Sequence, residues 1–270
     1  MDARTGKKIR LGRLFDQNSH KTLIVAYSHG VIMGPRSGMQ CLAEMKKISK
    51  ELEKANGLMI APGLVTALED SFIGRQRPSL MIHLDYQSFS RDVMPYTEGA
   101  TVEMAQIEEV AAAGAEGVMT YLYMGYEDPE REKMDIARNA RLARACERLG
   151  IILMIEPRSA REARNPADKT DPKILGLYTR ISAEIGADLV KCIHPGTEDA
   201  LRSVISACTA PVLVAGGSRA EKPEQAYERA ESAMRAGAAG LVYGRNIYEA
   251  VNPAVELDKY LQIVHSNKYL

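Results

Sequence analysis

Short, almost unbroken apolar runs alternate along the chain with longer stretches in which apolar residues recur every three or four positions. The runs are TLIVAYS (22–28), GLMIAP (57–62), SLMIHLD (79–85), GVMTYLY (117–123), IILMIEP (151–157), ADLVKCI (187–193), PVLVAGG (211–217) and GLVYG (240–244). Runs this short and this hydrophobic suit strands covered on both faces, as in a parallel sheet. Between them, 41–55, 102–115, 130–149 and 224–238 read as amphipathic helices. Glycines mark the joins at 113–117, 149–150, 185–187 and 236–240, where a left-handed cap ends a helix before the next strand. About eight β–α repeats predict an α/β fold, a (β/α)₈ TIM barrel, as one domain over 1–270 with a short extension at 1–20. A doubly wound sheet is the rival, but it carries a glycine-rich fingerprint after its first strand, and Ser28-His29-Gly30 is not one. The charged, proline-containing segment 158–171 reads as a mobile lid.

Catalytic residues of a barrel gather at the C-terminal ends of its strands. Read in order, those ends are Ser28/His29, Pro62, His83/Asp85, Tyr121/Tyr123, Glu156/Arg158, Lys191/His194, Gly216-Gly217-Ser218 and Gly244-Arg245. Lys191 is the anomaly, an ammonium between apolar neighbours. One reading is a packed stem with its head in solvent. The other is a desolvated amine that attacks a carbonyl and forms a Schiff base. The glycine turns at 216–218 and 244–245 either make tight corners or let backbone N–H groups approach a phosphate, with the helix opening at Arg245 and its guanidinium adding positive charge. Tyr123, with Tyr121 on the same strand face, is a proton relay or a packed phenol. Glu156 serves Lys191 or pairs with Arg158. His29 sits at a strand end, and His83 and Asp85 alternate with Leu84, which lets them face the barrel mouth together. His and carboxylate residues are too dispersed to argue a metal site, so metal-free and cofactor-free chemistry is expected.

Composition narrows the class. The 270 residues carry 35 basic and 35 acidic side chains, a formal net charge of +0, which gives no electrostatic case for nucleic acid or an anionic membrane. The N-terminal basic residues Arg4, Lys7, Lys8, Arg10 and Arg13 read as a solvated face. No apolar run nears the ~18 residues of a membrane span. The N-terminus lacks an apolar core followed by a cleavage site, and the four cysteines are scattered. The expectation is a cytoplasmic protein with reduced thiols.

Six stretches together, HGVIMGP (29–35), YLYMGYEDPE (121–130), EPR (156–158), ADLVKC (187–192), VAGGSR (214–219) and AGAAGLVYGRNIY (236–248), resemble the class I, Schiff-base aldolases of the deoxyribose-phosphate and tagatose-bisphosphate aldolase family. Within it the chain is most similar to archaeal-type class I fructose-bisphosphate aldolases, with 2-amino-3,7-dideoxy-hept-6-ulosonate synthases and autoinducer-2 phosphate thiolases as near relatives. The resemblance runs from about residue 23 to 248. It implies a barrel often assembled as a decamer, Lys191 as the Schiff-base lysine and Tyr123 as the acid/base tyrosine. It also implies a role for His29, and a substrate phosphate held by Gly216, Gly217, Ser218, Gly244 and Arg245. The expected activity is carbon–carbon cleavage or formation on a small phosphorylated ketose or keto compound, with dihydroxyacetone phosphate as donor. The alternatives are a transaldolase-like synthase or thiolase using the same lysine, and a barrel that binds a sugar phosphate without turnover. The sequence departs from the family twice. Ser28 stands where relatives carry an aspartate, and Glu156 where they commonly carry a tyrosine. Glu156 or Asp85 supplies the missing carboxylate, or water or Tyr123 suffices, or the substrate differs; the paired changes fit a carboxylate moved to Glu156.

Overall fold

The computed structural model describes residues 2–87, 91 and 93–269. Its strands are β1 (Thr22–Ala26), β2 (Gly57–Ile60), β3 (Ser79–His83), β4 (Asp85–Gln87), β5 (Thr101–Glu103), β6 (Gly117–Met124), β7 (Ile152–Ser159), β8 (Leu189–Ile193), β9 (Val212–Ala215) and β10 (Gly240–Tyr243). Its helices are α1 (Ala3–Leu14), α2 (Gly30–Met33), α3 (Leu42–Glu51), α4 (Ile107–Ala112), α5 (Pro129–Leu149), α6 (Pro172–Ile185), α7 (Glu198–Ala207), α8 (Pro223–Arg235), α9 (Arg245–Tyr248) and α10 (Pro253–Val264). The parallel strands close in the order β1-β10-β9-β8-β7-β6-β3-β2, so the predicted eight-stranded barrel forms.

Alternation along each strand divides the core in two. Ile24 and Ala26 of β1, Met119 of β6, Met154 of β7 and Leu189 of β8 fill the barrel interior. Their neighbours Leu23, Val25, Val118, Leu153 and Val190 pack outward against the helices. That double burial is why the runs carry almost no polar positions.

Four expectations change. The 102–115 helix shrinks to α4, because Gln106 and Glu109 form a capping box that starts the helix there, while Thr101–Glu103 pairs antiparallel with β4. The crossover after β2 is made of two 3₁₀ segments, Pro62–Leu64 and Thr66–Ser71. The N-terminal basic face is not solvated throughout. α1 closes the lower end of the barrel with Leu14 in its interior, and Lys7 Nζ donates to Glu147 at 2.8 Å and to Asp188 at 2.9 Å. Arg10 caps the carbonyls of Ala115 and Gly150. Finally, the 158–171 segment begins inside β7 and is tied down by Arg158 to Glu162, Ser159 to Asp168 and Asn165 to Asp168.

Candidate active site

Lys191 lies on β8 with the same parity as Leu189, so its side chain enters the barrel interior. It is 8% exposed, and its Nζ stands 2.6 Å from Oε2 of Glu156 on the adjacent strand β7. The other carboxylate oxygen, Oε1, takes Arg158 Nη1 at 3.1 Å, and Arg158 in turn pairs with Glu162. Four charges thus alternate in sign, three of them buried and Arg158 partly so, which is the condition under which burying them is tolerable. Burial pushes the Glu156 carboxyl up, but Lys191 and Arg158 outweigh it and the net shift is downward. At neutral pH Glu156 is a carboxylate.

The lysine opens on a cleft of about 370 Å³, within the range of small-molecule sites. Gly216, Gly217, Ser218, Gly244, Arg245, His29 and Tyr121 line it, and the 158–171 segment contributes Glu162 and Lys169. Two of the glycines are needed for their shape. A Cβ at Gly244 would lie 2.4 Å from the Ala26 carbonyl oxygen and 2.7 Å from His29 Cε1, and Gly217 has φ +69. The α9 helix that opens at Arg245 is only four residues long, so an anion here is served by backbone N–H groups and the guanidinium more than by a macrodipole. Asn246 ties the two turns together. Its amide donates to the carbonyls of Gly216 at 3.2 Å and Ser218 at 3.3 Å, and its oxygen accepts Ala220 N–H at 2.9 Å. Four cations of the lining, Arg158, Lys169, Lys191 and Arg245, face two carboxylates, Glu156 and Glu162. The excess of positive charge suits a dianionic group. A larger groove of about 920 Å³, between Arg13, Glu69 and Glu116, lies at the opposite, N-terminal end of β3 and β6.

Tyr121 and Tyr123 face inward on β6 and stack with ring centroids 5.7 Å apart. Tyr121 lines the cleft, whereas Tyr123 is fully buried. Burial pushes both phenols well above their ordinary value, so each enters any reaction protonated. His29 is held far below its usual value by burial and then by Arg245 and Lys191, and is a neutral imidazole.

Ser28 is buried just past β1, with its Oγ 2.9 Å from Nδ1 of His83. The expectation that His83 and Asp85 share the barrel mouth fails. β3 ends at His83, and Asp85 turns outward to Arg138 at 2.7 Å and Thr120 at 2.6 Å, so it is not the carboxylate beside Lys191. His194 also points away, 3.2 Å from Ser232 on α8. Among the described residues, no three His, Cys, Asp or Glu side chains converge as metal ligands, and no helix is long and apolar enough to cross a membrane. Asn246, Glu162 and Lys169 are the lining or supporting residues that sequence reasoning passed over. Asn246 had a signal, a polar residue directly after Gly244-Arg245.

The sequence signature of DeoC/LacD family aldolases matches residues 22–250. An uncharacterized aldolase of Saccharolobus solfataricus is 30% identical over 97% of this chain and 95% of its own. The 2-amino-4,5-dihydroxy-6-oxo-7-(phosphonooxy)heptanoate synthase of Streptomyces griseus is 27% identical over 97% of this chain and 91% of its own. The crystal structure of an archaeal fructose 1,6-bisphosphate aldolase superposes with a TM-score of 0.80 at 21% identity, covering 97% of this chain and 100% of that one. The match spans nearly the whole barrel, and the chain belongs to the DeoC/LacD family of aldolases.

Proposed function

We propose that this chain is a metal-independent class I aldolase acting on a phosphorylated ketose or keto compound. The observation that carries the reading is the buried Lys191–Glu156 pair at 2.6 Å, opening on a cleft that the double glycine turn and Arg245 also line. Glu156 accepts a proton from the Lys191 ammonium, and the free amine adds to the ketone carbonyl. The proton returns to the carbinolamine oxygen, which leaves as water, and a protonated imine remains beside the carboxylate. In cleavage, the bond between the adjacent carbon and the carbinol carbon breaks as its hydroxyl gives up a proton to the Glu156 carboxylate. The electron pair moves to the iminium and forms an enamine, and an aldehyde departs. A phenol of Tyr121 or Tyr123 protonates the enamine and is itself reprotonated by the proton released in cleavage, and addition of water then returns the amine and the shortened ketone. The phosphate, held at Gly216, Gly217, Ser218, Gly244 and Arg245, sets the distance between the carbonyl and Lys191. His29, neutral and at the cleft wall, hydrogen-bonds a substrate oxygen.

Ser28 has no charge to offer, so the work of the family aspartate falls to Glu156. Reduction with borohydride in the presence of dihydroxyacetone phosphate, followed by peptide mass spectrometry, tests the reading. An adduct on the peptide containing Lys191 supports it, and its absence from folded protein across a panel of phosphorylated ketones refutes it. The Streptomyces relative, a synthase by name, favours a second reading in which the same enamine is used for synthesis. Product analysis with a panel of aldehyde acceptors, with and without coenzyme A, separates aldolase, synthase and thiolase outcomes.

A further inference from the structure

On one side β6 is paired with β7 as far as Met124↔Ser159. On the other, β3 covers only Gly117, Val118 and Met119, and the last backbone bond along that edge runs from Leu84 N–H to the Met119 carbonyl at 2.9 Å. The edge groups of Tyr121 and Tyr123, the two phenols of the site, lie beyond it. Buried backbone polar groups must find partners, and here side chains supply them. Tyr121 N–H donates to Asp85 Oδ2 at 3.0 Å, and its carbonyl takes Asn139 Nδ2 at 3.1 Å and Arg138 Nη2. Tyr123 N–H donates to Asp135 Oδ2 at 2.6 Å, and Gly125 N–H to Glu132 Oε2 at 2.6 Å. Glu132, Asp135, Arg138 and Asn139 recur at helical spacing on one face of α5. They run beside β6 like the rungs of an absent strand.

The network is internally joined. Arg138 bridges Asp85 at 2.7 Å and Asp135 at 2.8 Å, and Thr120 Oγ1 donates to Asp85 at 2.6 Å. Asp85, Thr120, Asp135, Arg138 and Asn139 are all buried. Three buried charges are a costly way to satisfy a backbone edge that an extended β3 would satisfy for little. What the charges add is a fixed geometry, since each carboxylate and the planar guanidinium accept only a narrow range of strand positions.

We propose that Asp85, Asp135, Arg138 and Asn139 are positioning residues that hold the phenols of Tyr121 and Tyr123 in register with Lys191 and Glu156. The kinetic part of this rests on Lys191 forming the adduct proposed above; the geometric part does not. The test uses the full chain carrying ¹³C-labelled tyrosine, with Tyr121→Phe and Tyr123→Phe assigning the two resonances. Asp135→Ala removes the acceptor for Tyr123 N–H. Asp135→Asn keeps an acceptor, and Arg138→Lys keeps the charge but loses the fork. In each variant that folds, Asp135→Ala and Arg138→Lys are expected to shift and broaden these two resonances and leave the other tyrosines in place, with Asp135→Asn closest to the parent. With dihydroxyacetone phosphate, the Lys191 adduct is expected to be trapped at the parental level while solvent deuterium exchange at the donor carbon falls about tenfold or more. Unchanged Tyr121 and Tyr123 resonances in folded Arg138→Lys, with only the melting temperature lowered, would overturn the proposal. A parent protein that forms no adduct removes the site reading instead, and the resonances still decide the positioning role.

Discussion

Replacing Glu156 by glutamine keeps the side chain's size and removes its charge from beside Lys191. At 2.6 Å, with an effective dielectric near 20, the attraction lost is about 6 kcal/mol before desolvation is subtracted. Desolvation of two groups with side chains 10% and 4% exposed cancels much of that. Removing one partner of such a buried pair nonetheless costs about 3–5 kcal/mol, because the other charge stays buried. The glutamine still presents an oxygen, which puts E156Q near the lower end, and urea denaturation at neutral pH reads it out. The chemical cost is separate. A group that moves a proton in the rate-limiting step contributes about 100-fold or more, so turnover is expected to fall by at least that factor, with adduct formation on Lys191 slowed. In this view S28D/E156Q recovers part of the loss, since it returns a carboxylate to the strand end where relatives carry one. A loss of stability under about 1 kcal/mol together with turnover within about threefold of the parent would refute the assignment of Glu156.

G244A drives a Cβ to 2.4 Å from the Ala26 carbonyl oxygen and 2.7 Å from His29, so a destabilisation of about 1–3 kcal/mol is expected along with a raised KM for the phosphorylated substrate; thermal melting and initial rates check both. Burial holds His83 down to about 3 in the fold, against an unfolded value near 6.5. The unfolded chain therefore binds more protons between those values, and the contribution is complete above pH 6.5 and lost as the pH falls. By pH 5 about 2 kcal/mol is gone, and urea midpoints at pH 7 and 5 should show a smaller loss for H83Q than for the parent. K7A removes the partner of Glu147 and Asp188 at the closed end of the barrel, so a loss of about 1–3 kcal/mol is expected with kcat unchanged. A fall in kcat at constant folded fraction would show that the two ends of the barrel are coupled.

The strand pattern was legible because a parallel barrel buries both faces of every strand, so nearly all eight runs stand out against the amphipathic helices. Lys191 was legible for the same reason, as a charge inside such a run, and the glycine turns because glycines recur where β9 and β10 end. The pattern misled where a polar residue had a private partner. Asp85 follows His83 at strand spacing, yet the chain leaves the barrel after His83 because Arg138 and Thr120 recruit the carboxylate outward. Lys7 sits among solvent-facing basic residues and is buried only because Glu147 and Asp188, far along the chain, meet it. The 102–115 helix was overextended because helical spacing alone does not reveal the β4–β5 pairing that claims its first turn.

Hydrophobic period and glycine placement, which are properties of neighbouring residues, were enough to determine the barrel and to single out Lys191 as a charge inside one of its strands. The sequence favoured Glu156 over Asp85 as the carboxylate near Lys191. The contact itself belongs to the tertiary structure, since an ion pair across adjacent strands depends on strand register and on which way a chain turns after its last paired residue. So do the stapling of the two glycine turns by Asn246 and the clamping of Tyr121 and Tyr123 from α5. Each satisfies a backbone group whose need for a partner arises only once the neighbouring strand has ended.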